Sequence, residues 1–396
     1  MSLDDFETQS KHEEIQTKQK EQKQRDTYKH SLPNWTDINI SKEEFNDLKA
    51  KHSEVWIRNW IVDIVRKNKI PPPYTPITEE LALSEYNKMK EYDTAKLFTN
   101  DEYYIKHDVD DKWNIPMCKM ISQNNTGNKS SNYFHEKARF RAGSSVAESV
   151  ERIWNDNKQL SRTLNAIFTL GMDIINHHTL QQAFQLRRYI PSQFKPVVAK
   201  AIYDEYKAEN VYDMSMGWGD RLAGFSASKY GKYYYGTDPN TNTFSNYYKQ
   251  IEFYKEEKEY SLYNLPAEDL TEAPKYDIDL VFSSPPYFTK EHYSDDRNQS
   301  WKRYPHIKSW LEKFLFRAIE TQYNTLKSGG TMIVNISDVY IKGEWNKICD
   351  PMNEFISKLD GSEYIGHMGM KMAKRPNVHS AQEGNFAEPM WVWRKH

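Results

Sequence analysis

The segment DLVFSSPPYF, residues 279–288, places polar, rigid and aromatic residue types at a point where a buried strand must end. Proline donates no hydrogen bond to a sheet ladder, so the apolar run stops at Ser283 or Ser284 and the chain turns stiffly there. Rigid turns at the carboxyl ends of strands carry the chemistry of many α/β enzymes. The segment is therefore the first candidate for a catalytic turn.

A glycine turn is the second candidate. The stretch VYDMSMGWGDRLAG, residues 211–224, predicts a strand, a turn with Gly217 and Gly219, and then a helix. Glycine lets the backbone approach a ligand closely, and a helix N-terminus offers free N–H groups. A turn that merely joins a strand to a helix explains the same residues. No Lys-Ser or Lys-Thr pair follows, so the spacing is not that of a P-loop.

Acidic residues follow the next two predicted strands. Asp238 in YYYGTDPN comes about 20 residues after the glycines, where a carboxylate can accept hydrogen bonds from both ribose hydroxyls. Asp269 in LPAEDL is placed to accept a hydrogen bond from an adenine amino group. Each aspartate taken alone can equally be a helix cap. The ordered set of glycines and two carboxylates predicts a pocket for an adenosine-containing cofactor.

The order of these motifs resembles one enzyme family, the S-adenosylmethionine-dependent amino-methyltransferases of DNA bases. The residues that carry the resemblance are FKP (194–196), DMSMGWG (213–219), GTDPN (236–240), AEDL (267–270) and SPPY (284–287). The most specific element is a tetrapeptide of Asp, Asn or Ser, then Pro-Pro, then Tyr, Phe or Trp. The glycine motif departs from the family's Asp-Pro-Phe-x-Gly-x-Gly, because Met and Ser stand where the family has Pro and Phe.

The resemblance implies that S-adenosyl-L-methionine is the cofactor and assigns residues to it. Gly217 and Gly219 would pass beside its methionine part with Asp213 nearby, Asp238 would hold the ribose and Asp269 the adenine. Phe194 and Lys195 match a further cofactor-binding element of the family.

The resemblance also assigns Ser284, Pro285, Pro286 and Tyr287 to catalysis. An exocyclic amine is a poor nucleophile because its lone pair is delocalised into the ring. Acceptors on its two N–H groups, the Ser284 side chain and the Pro285 carbonyl, would aim that lone pair at the methyl group. Two prolines preorganise these acceptors. Tyr287 would stack on a base flipped out of the duplex. A rigid turn with aromatic residues in the core is the structural alternative.

The substrate is inferred from the family as well. Within it, Ser at the first position of the tetrapeptide favours cytosine N4, whereas Asp or Asn favours adenine N6. An RNA base and a catalytically silent binding subunit are the alternatives to a site-specific DNA methyltransferase. A dehydrogenase is disfavoured because the glycine turn lacks the third glycine of the dinucleotide pattern. Abundant Lys, Asn, Tyr and Ile are typical of an AT-rich genome, such as that of a virus.

Further contacts to the substrate are predicted outside the motifs. Phe288 would back Tyr287 or stack on the base, and Tyr293 would cover it, although the loop after the tetrapeptide also fits an ordinary surface connection. Lys374 and Arg375 are candidates for phosphate contacts. In NYFHEKARFRAGSS, residues 132–145, aromatic residues alternate with basic ones, as in nucleic-acid-binding segments. An amphipathic helix packed against the catalytic domain explains that stretch equally.

The elements that must position these residues predict an α/β fold with a parallel sheet flanked by helices, and the resemblance implies that this is a Rossmann-like methyltransferase sheet. Alternating strands and helices begin near residue 190, whereas the preceding region is mainly helical. We therefore expect a disordered tail over residues 1–30, a helical region over 31–185 that is a candidate for target recognition, and a catalytic domain over 186–396. These boundaries carry an error of about 20 residues.

Composition limits the partners and the compartment. The net charge of −2 gives no bulk attraction to a polyanion, so DNA or RNA must be bound by a local patch. Two cysteines form no disulfide framework, and no apolar run reaches the ~18 residues that span a bilayer. Residues 1–14 lack the pattern of a secretory signal. An intracellular, cytoplasmic protein without a membrane partner is expected, and the oligomeric state is left open.

Overall fold

The computed structural model describes residues 32–105, 109–187, 190–341, 343–372 and 384–396. These residues form two compact units. The first contains residues 32–75 and 150–187, and the second contains the described residues from 76–149 and from 190 onward. The tail predicted over residues 1–30 lies outside the described residues.

The helices, in chain order, are α1 (Lys42–Lys51), α2 (Glu54–Asn68), α3 (Glu79–Glu91), α4 (Asp111–Asn114), α5 (Asn128–Arg141), α6 (Val150–Asn155), α7 (Asn157–Thr169), α8 (His177–Arg187), α9 (Pro196–Glu205), α10 (Asp220–Ala227), α11 (Thr241–Tyr254), α12 (Ser300–Arg303), α13 (Ile307–Trp310), α14 (Phe316–Thr325) and α15 (Cys349–Ile356). Short 3₁₀ turns lie at Thr94–Leu97 and Ala267–Asp269, and a π-helical turn, Leu311–Leu315, joins α13 to α14.

The strands are β1 (Phe98–Thr99), β2 (Tyr103–Ile105), β3 (Met117–Ile121), β4 (Gly143–Ser144), β5 (Asn210–Asp213), β6 (Tyr233–Thr237), β7 (Glu259–Tyr263), β8 (Ile278–Ser283), β9 (Glu291–His292), β10 (Leu326–Asn335), β11 (Val339–Ile341), β12 (Glu344–Asn346), β13 (Ser362–Lys371) and β14 (Asn385–Lys395).

The first unit is helical and contains α1, α2 and α6 to α8. The continuous helical pattern over residues 43–69 is divided into α1 and α2, because the Ser53 side chain accepts a hydrogen bond from the Trp56 N–H and caps a new helix. Apolar side chains of α2 and α7, among them Ile61 and Leu164, are fully buried. None of the described helices of the chain is long and apolar enough to cross a membrane.

The second unit is built on one mixed sheet of ten strands. Its order is β1-β3-β13-β14-β10-β8-β5-β6-β7, and β2 pairs with β14. The five strands β7, β6, β5, β8 and β10 are parallel, whereas β14 runs antiparallel to both β10 and β13. Helices and apolar clusters cover both faces. The predicted α/β fold, a methyltransferase-like sheet flanked by helices, is confirmed.

The adjacent strands β5 and β8 mark the point where the strand order reverses. From β5 the chain moves outward to β6 and β7, and it then returns across the sheet to β8 and β10. Such a reversal opens a crevice at the carboxyl ends of the two central strands, because their connections leave in opposite directions. The glycine turn follows β5 and the Pro-Pro turn follows β8, so both candidate segments lie at this crevice.

The helical region expected over residues 31–185 does not form one unit in the structure. Residues 76–149 belong to the unit that contains the sheet. They supply three strands to it: β3 pairs parallel to β13, β2 pairs parallel to β14, and β1 pairs with β3. These strands are two to five residues long, too short for a period of alternation to stand out. The partners of β2 and β3 lie more than 200 residues away along the chain, as in the pairing of Met120 with Gly369.

Candidate active site

Asp213, the last residue of β5, is the most heavily hydrogen-bonded group of the crevice. Its carboxylate is fully buried. It accepts hydrogen bonds from the Ser215 N–H, the Tyr234 hydroxyl at 2.7 Å, the Ser283 hydroxyl at 2.8 Å and two nitrogens of Arg221. Five donors saturate a carboxylate. The family resemblance placed Asp213 near the cofactor, and the structure shows a side chain committed to holding the surrounding elements together.

Arg221, on α10, is the counter-charge of Asp213. Its Nε lies 2.8 Å from one carboxylate oxygen and its Nη2 3.1 Å from the other, a two-point contact within a fully buried environment. Nη2 also donates to the Ser215 carbonyl. Phe194 stacks over the guanidinium with its ring centre 5.7 Å away. Although burial disfavours the charged form, the interactions with Asp213 outweigh it and raise the pKa of Arg221.

Ser283, the last residue of β8, connects the two candidate segments. Its buried hydroxyl donates to Asp213 Oδ1, while Ser284 and the prolines follow it directly in the chain. Sequence analysis assigned no role to Ser283. The hydrogen bond joins the base of the Pro-Pro turn to the base of the glycine turn, and thereby fixes the separation of the two turns.

The glycine turn has a left-handed backbone. Gly217 and Gly219 have φ angles of 59° and 68°, in the region that favours glycine. A Cβ on Gly219 would lie 2.3 Å from Gln250 Oε1 and 2.6 Å from His135 Nε2, whereas a Cβ on Gly217 would approach only the Ser215 carbonyl, at 3.8 Å. The backbone of Gly217 therefore borders open space, which is the form expected of a cradle for a ligand.

Asp238 supports this turn from the end of β6. Its carboxylate accepts hydrogen bonds from the N–H groups of Gly217 at 2.8 Å and Asn240 at 2.9 Å. Tyr247 holds the other side of the turn by donating to the Gly217 carbonyl at 2.6 Å. Burial raises the pKa of Asp238 to about 6. A carboxylate has room for about four hydrogen bonds, and the Tyr247 side chain also interacts with Asp238, so part of the acceptor capacity of Asp238 remains.

Asp269 lies in the 3₁₀ turn after β7 and is half-exposed. It is paired with Arg303 of α12, whose Nη1 lies 2.8 Å from Asp269 Oδ2 and 2.7 Å from Glu268 Oε1. Burial raises the pKa of Glu268 to about 7. The Arg303 guanidinium thus connects the end of β7 to the long loop after the Pro-Pro turn.

In the Pro-Pro turn, the Tyr287 side chain is hydrogen-bonded to a carboxylate. The Tyr287 hydroxyl donates to Glu388 Oε1 of β14 at 2.6 Å, and the Ser284 side chain also interacts with the Tyr287 hydroxyl. Burial raises the pKa of Glu388. Lys290 lies over the Tyr287 ring at 5.4 Å. Because one end of the ring is anchored, its orientation is set before any substrate is present.

Phe288 is part of the apolar cluster against which Tyr287 packs. Its backbone is left-handed, with φ 52°, and its ring is buried at an edge-to-face distance of 5.9 Å from Trp310. A left-handed conformation is costly for a bulky residue and is retained where packing enforces it. Phe288 therefore anchors the turn in the core, and in this structure it does not offer a face to a base.

Tyr293 covers the glycine turn. Its ring meets Trp218, between the two glycines, edge to face at 5.6 Å, and its hydroxyl donates to Glu291 of β9. Lys195 caps α9 and donates from Nζ to Asn125 Oδ1 at 2.9 Å. The other two predicted contacts, Lys374 and Arg375, lie outside the described residues.

The basic and aromatic stretch 132–145 forms most of α5, which packs on the site. Its fully buried His135 bonds through Nε2 to Gln250 Oε1, and Ser131 donates to Asp220 at the start of α10. Ala138 packs with Trp218. The amphipathic-helix interpretation is therefore correct for this face of α5.

Sequence analysis missed four supporting residues: Ser283, Arg221, Glu388 and Arg303. A weak signal existed for Arg221, since an arginine one turn into a helix after a strand-end aspartate can fold back onto it. Glu388 lies in EPMWVWRK, residues 388–395, whose apolar residues indicate a strand but carry no signal for a partner of the Pro-Pro turn. The partners of Ser283 and Arg303 follow from the sheet order and carried no local signal.

Residues 278–396 match the family model N6_N4_Mtase, described as DNA methylase. The match begins at β8 and includes the Pro-Pro turn, Glu388 and the last strand. It confirms the resemblance to the amino-methyltransferases that methylate N4 or N6. A comparison with curated proteins finds no significant match.

Solved structures of methyltransferases are also similar to the chain. An rRNA methylase from Streptococcus thermophilus is 18% identical over 52% of this chain and 99% of its own, with a TM-score of 0.35. A tRNA methyltransferase from Aquifex aeolicus is 12% identical over 52% and 71%, with a TM-score of 0.31. An N-methyltransferase from Bradyrhizobium japonicum, in complex with S-adenosyl-L-homocysteine, is 10% identical over 48% and 78%, with a TM-score of 0.31.

We predict that Asp213→Asn lowers the free energy of unfolding by about 3–5 kcal/mol, because it leaves the Arg221 guanidinium buried without a counter-charge. Ser283→Ala removes one of the five hydrogen bonds and costs about 1 kcal/mol. Urea unfolding followed by circular dichroism measures both. Asp295→Asn is the control, since that side chain is 82% exposed in its ion pair. Equal unfolding midpoints for Asp213→Asn and the control would contradict the assigned role of the ion pair.

Proposed function

We propose that the protein transfers a methyl group from S-adenosyl-L-methionine to the exocyclic amino group of a DNA base, with cytosine N4 as the target. The observation that carries the proposal is the hydrogen bond between Ser283 and Asp213, which joins the Pro-Pro turn to the glycine turn at the point where the strand order reverses. The family match over residues 278–396 supports the reaction type.

The residues of the crevice fit the proposed cofactor. The open backbone of Gly217 suits the methionine part, and the remaining acceptor capacity of Asp238 suits the ribose hydroxyls. Asp269 suits the adenine amino group, and Arg303 holds the Asp269 carboxylate in place. Phe194 and Lys195 lie at the start of α9, where Phe194 packs on Arg221. When bound, the cofactor supplies an electrophilic methyl group.

Ser284 and Pro285 prepare the nucleophile. The Ser284 hydroxyl oxygen and the Pro285 carbonyl each accept one N–H of the base amino group, so that its lone pair points away from the ring. Since Pro285 and Pro286 fix the turn and Ser283 fixes its base, the acceptors need little reorganisation as charge develops on the nitrogen.

Tyr287 holds the flipped base by stacking. Its hydroxyl is committed to Glu388, so the ring face is what remains for a substrate. Burial raises the pKa of Glu388, and the interaction with Tyr287 acts in the opposite direction. Tyr293 packs on Trp218 of the glycine turn. The serine at position 284 favours cytosine over adenine by resemblance to the family, and adenine N6 is the alternative target.

We predict that the purified protein transfers a labelled methyl group from S-adenosyl-L-methionine to DNA. Tyr287→Ala and Pro285→Ala should each lower transfer by about 100-fold, because small misplacements of a reacting group have effects of that size. Cofactor affinity in calorimetry should stay within about threefold of wild type, since neither side chain is part of the proposed cofactor pocket. Tyr276→Ala is the matched control, a partly exposed tyrosine before the amino end of β8.

Nucleoside mass spectrometry after incubation with DNA and with RNA identifies, in a single experiment, which polymer and which base are methylated. N4-methylcytosine in DNA supports the full proposal, and N6-methyladenine corrects the base. Methylation of RNA alone refutes the DNA assignment. Absence of cofactor binding by the wild-type protein refutes the enzyme itself.

We further predict that cofactor affinity rises with pH between about pH 5 and about pH 7. The pKa of Asp238 is raised to about 6 by burial, so at lower pH the carboxyl is protonated and has lost acceptor capacity. Ionisation as the pH passes 6 restores the acceptor capacity for the ribose, and affinity should change by at most about tenfold per pH unit. Folding stability has the opposite sign: because the pKa of Asp238 is raised in the folded state, the native state loses stability as the pH rises from the ordinary pKa of an aspartate to about 6.

Calorimetric titrations across this range test the assignment. Asp238→Asn should bind more weakly and with a flatter pH profile. Glu268→Gln is the control, because the pKa of Glu268 is raised to about 7 and titrates in the same range without contacting the ribose in this proposal. If cofactor affinity became independent of pH in Glu268→Gln and kept the wild-type pH dependence in Asp238→Asn, the pH dependence would belong to Glu268 and not to Asp238.

A further inference from the structure

A pocket of about 800 Å³ lies between α5 and α11, on the surface of the unit that contains the sheet. It is separate from the cofactor residues and is bordered by cationic, aromatic and amide side chains. We call it the α5–α11 groove. One of its walls comes from the stretch 132–145, whose basic residues the catalytic site did not use.

The wall from α5 is the outer face of an amphipathic helix. Ser131, His135 and Ala138 are buried against the rest of the unit. Tyr133, Lys137 and Arg141 line the groove. The spacing of four residues places these three side chains above one another along one side of the helix.

The wall from α11 has the same form. Asn242, Asn246, Lys249 and Phe253 line the groove at spacings of four, three and four residues, which also define one helical face. Asn246 Nδ2 donates to the Phe134 carbonyl at 2.9 Å, and the Phe134 and Phe253 rings meet at 5.3 Å. These contacts hold the two walls at a fixed distance, so the groove is formed without a ligand.

The charge of the groove differs from that of the whole chain. Four cationic side chains, Lys137, Arg141, Lys249 and Lys255, line it, against two acids, Glu79 and Glu252. The chain as a whole carries a net charge of −2. A polyanion is therefore attracted to this groove by a local excess of positive charge.

We infer that the α5–α11 groove binds a strand of the substrate DNA, with phosphates at Lys137, Arg141 and Lys249 and a base stacked on Tyr133. A row of cations along a preformed groove follows a sugar–phosphate backbone, and an adjacent aromatic ring accepts the face of any base. Tyr133 is 38% exposed, so its ring is accessible for stacking. This inference rests on the proposed function. It adds a contact with the sugar–phosphate backbone, whereas the catalytic turn contacts only the target base.

The buried side of α5 contacts the glycine turn. Ala138 borders the groove and packs with Trp218, and His135 lies against Gly219. The helix α5 therefore lies between the groove and the proposed cofactor turn.

The test uses the full chain and a fluorescein-labelled DNA oligonucleotide, as a single strand and as a duplex, in fluorescence anisotropy at several salt concentrations. Lys137→Glu combined with Arg141→Glu should weaken binding by about tenfold or more and lower the slope of log affinity against log salt by about two. Tyr133→Ala should weaken single-strand binding by about tenfold and leave the salt slope unchanged, because stacking releases no counterions.

The matched control reverses Lys313 and Lys358, exposed lysines of segments that cover the other face of the sheet. Unchanged binding by the control supports the groove. Equal losses of DNA affinity in both double variants would overturn the inference, because such losses would reflect only the total charge of the protein. Wild-type affinity and salt slope in the Lys137 and Arg141 variant would also overturn it. An RNA oligonucleotide that binds more tightly through the same residues would overturn the assignment to DNA.

Calorimetry with S-adenosyl-L-methionine separates this inference from the proposed function. The Lys137 and Arg141 variant should bind the cofactor as wild type does, because both side chains lie on the face of α5 away from the glycine turn. If the wild-type protein binds the cofactor and the groove variants bind DNA as the wild type does, only the inference about the groove is refuted. If the wild-type protein does not bind the cofactor, the proposed function is refuted.

Discussion

The buried ion pair between Asp213 and Arg221 is the interaction on which the candidate site depends. It joins the end of β5 to α10, and through its other contacts it holds Ser215 in the glycine turn, Tyr234 in β6 and Ser283 in β8. A buried charge is tolerated only when it is paired and fully hydrogen-bonded. A displacement of one of these elements would break the pairing of a buried charge, so the pair strongly restricts their relative position. Its importance lies in geometry more than in net stability, because desolvation offsets much of the attraction.

The same low-polarity environment shapes the acids around it. Asp238 and Glu268 are buried and have raised pKa values, about 6 and about 7, whereas Asp269 is half-exposed and paired with Arg303. The carboxylates that follow the strand ends thus differ in burial and in their partners, although they are chemically alike. In the proposed function, the buried Asp238 meets the ribose hydroxyls and the half-exposed Asp269 meets the adenine amino group.

The Pro-Pro turn depends on support from three directions. Ser283 anchors its start, the buried Phe288 anchors its end on Trp310, and Glu388 anchors the Tyr287 hydroxyl. Two of these anchors come from elements far away along the chain. Prolines alone make the turn stiff, but these contacts determine where it points. The helix α5 has a similar supporting role, because its buried side packs on the glycine turn while its outer side chains line the α5–α11 groove.

The sequence by itself determined the alternation of strands and helices after residue 190, the two turns that end β5 and β8, and the reaction class that their motifs indicate. These features are local, because glycine, proline and apolar periodicity act within a few residues. Only the tertiary structure decided that Asp213 faces Arg221 instead of a ligand, that Phe288 is buried, and that β1 to β3 join the sheet. Those outcomes depend on which distant side chains meet in the folded chain, and no short stretch of sequence encodes that meeting.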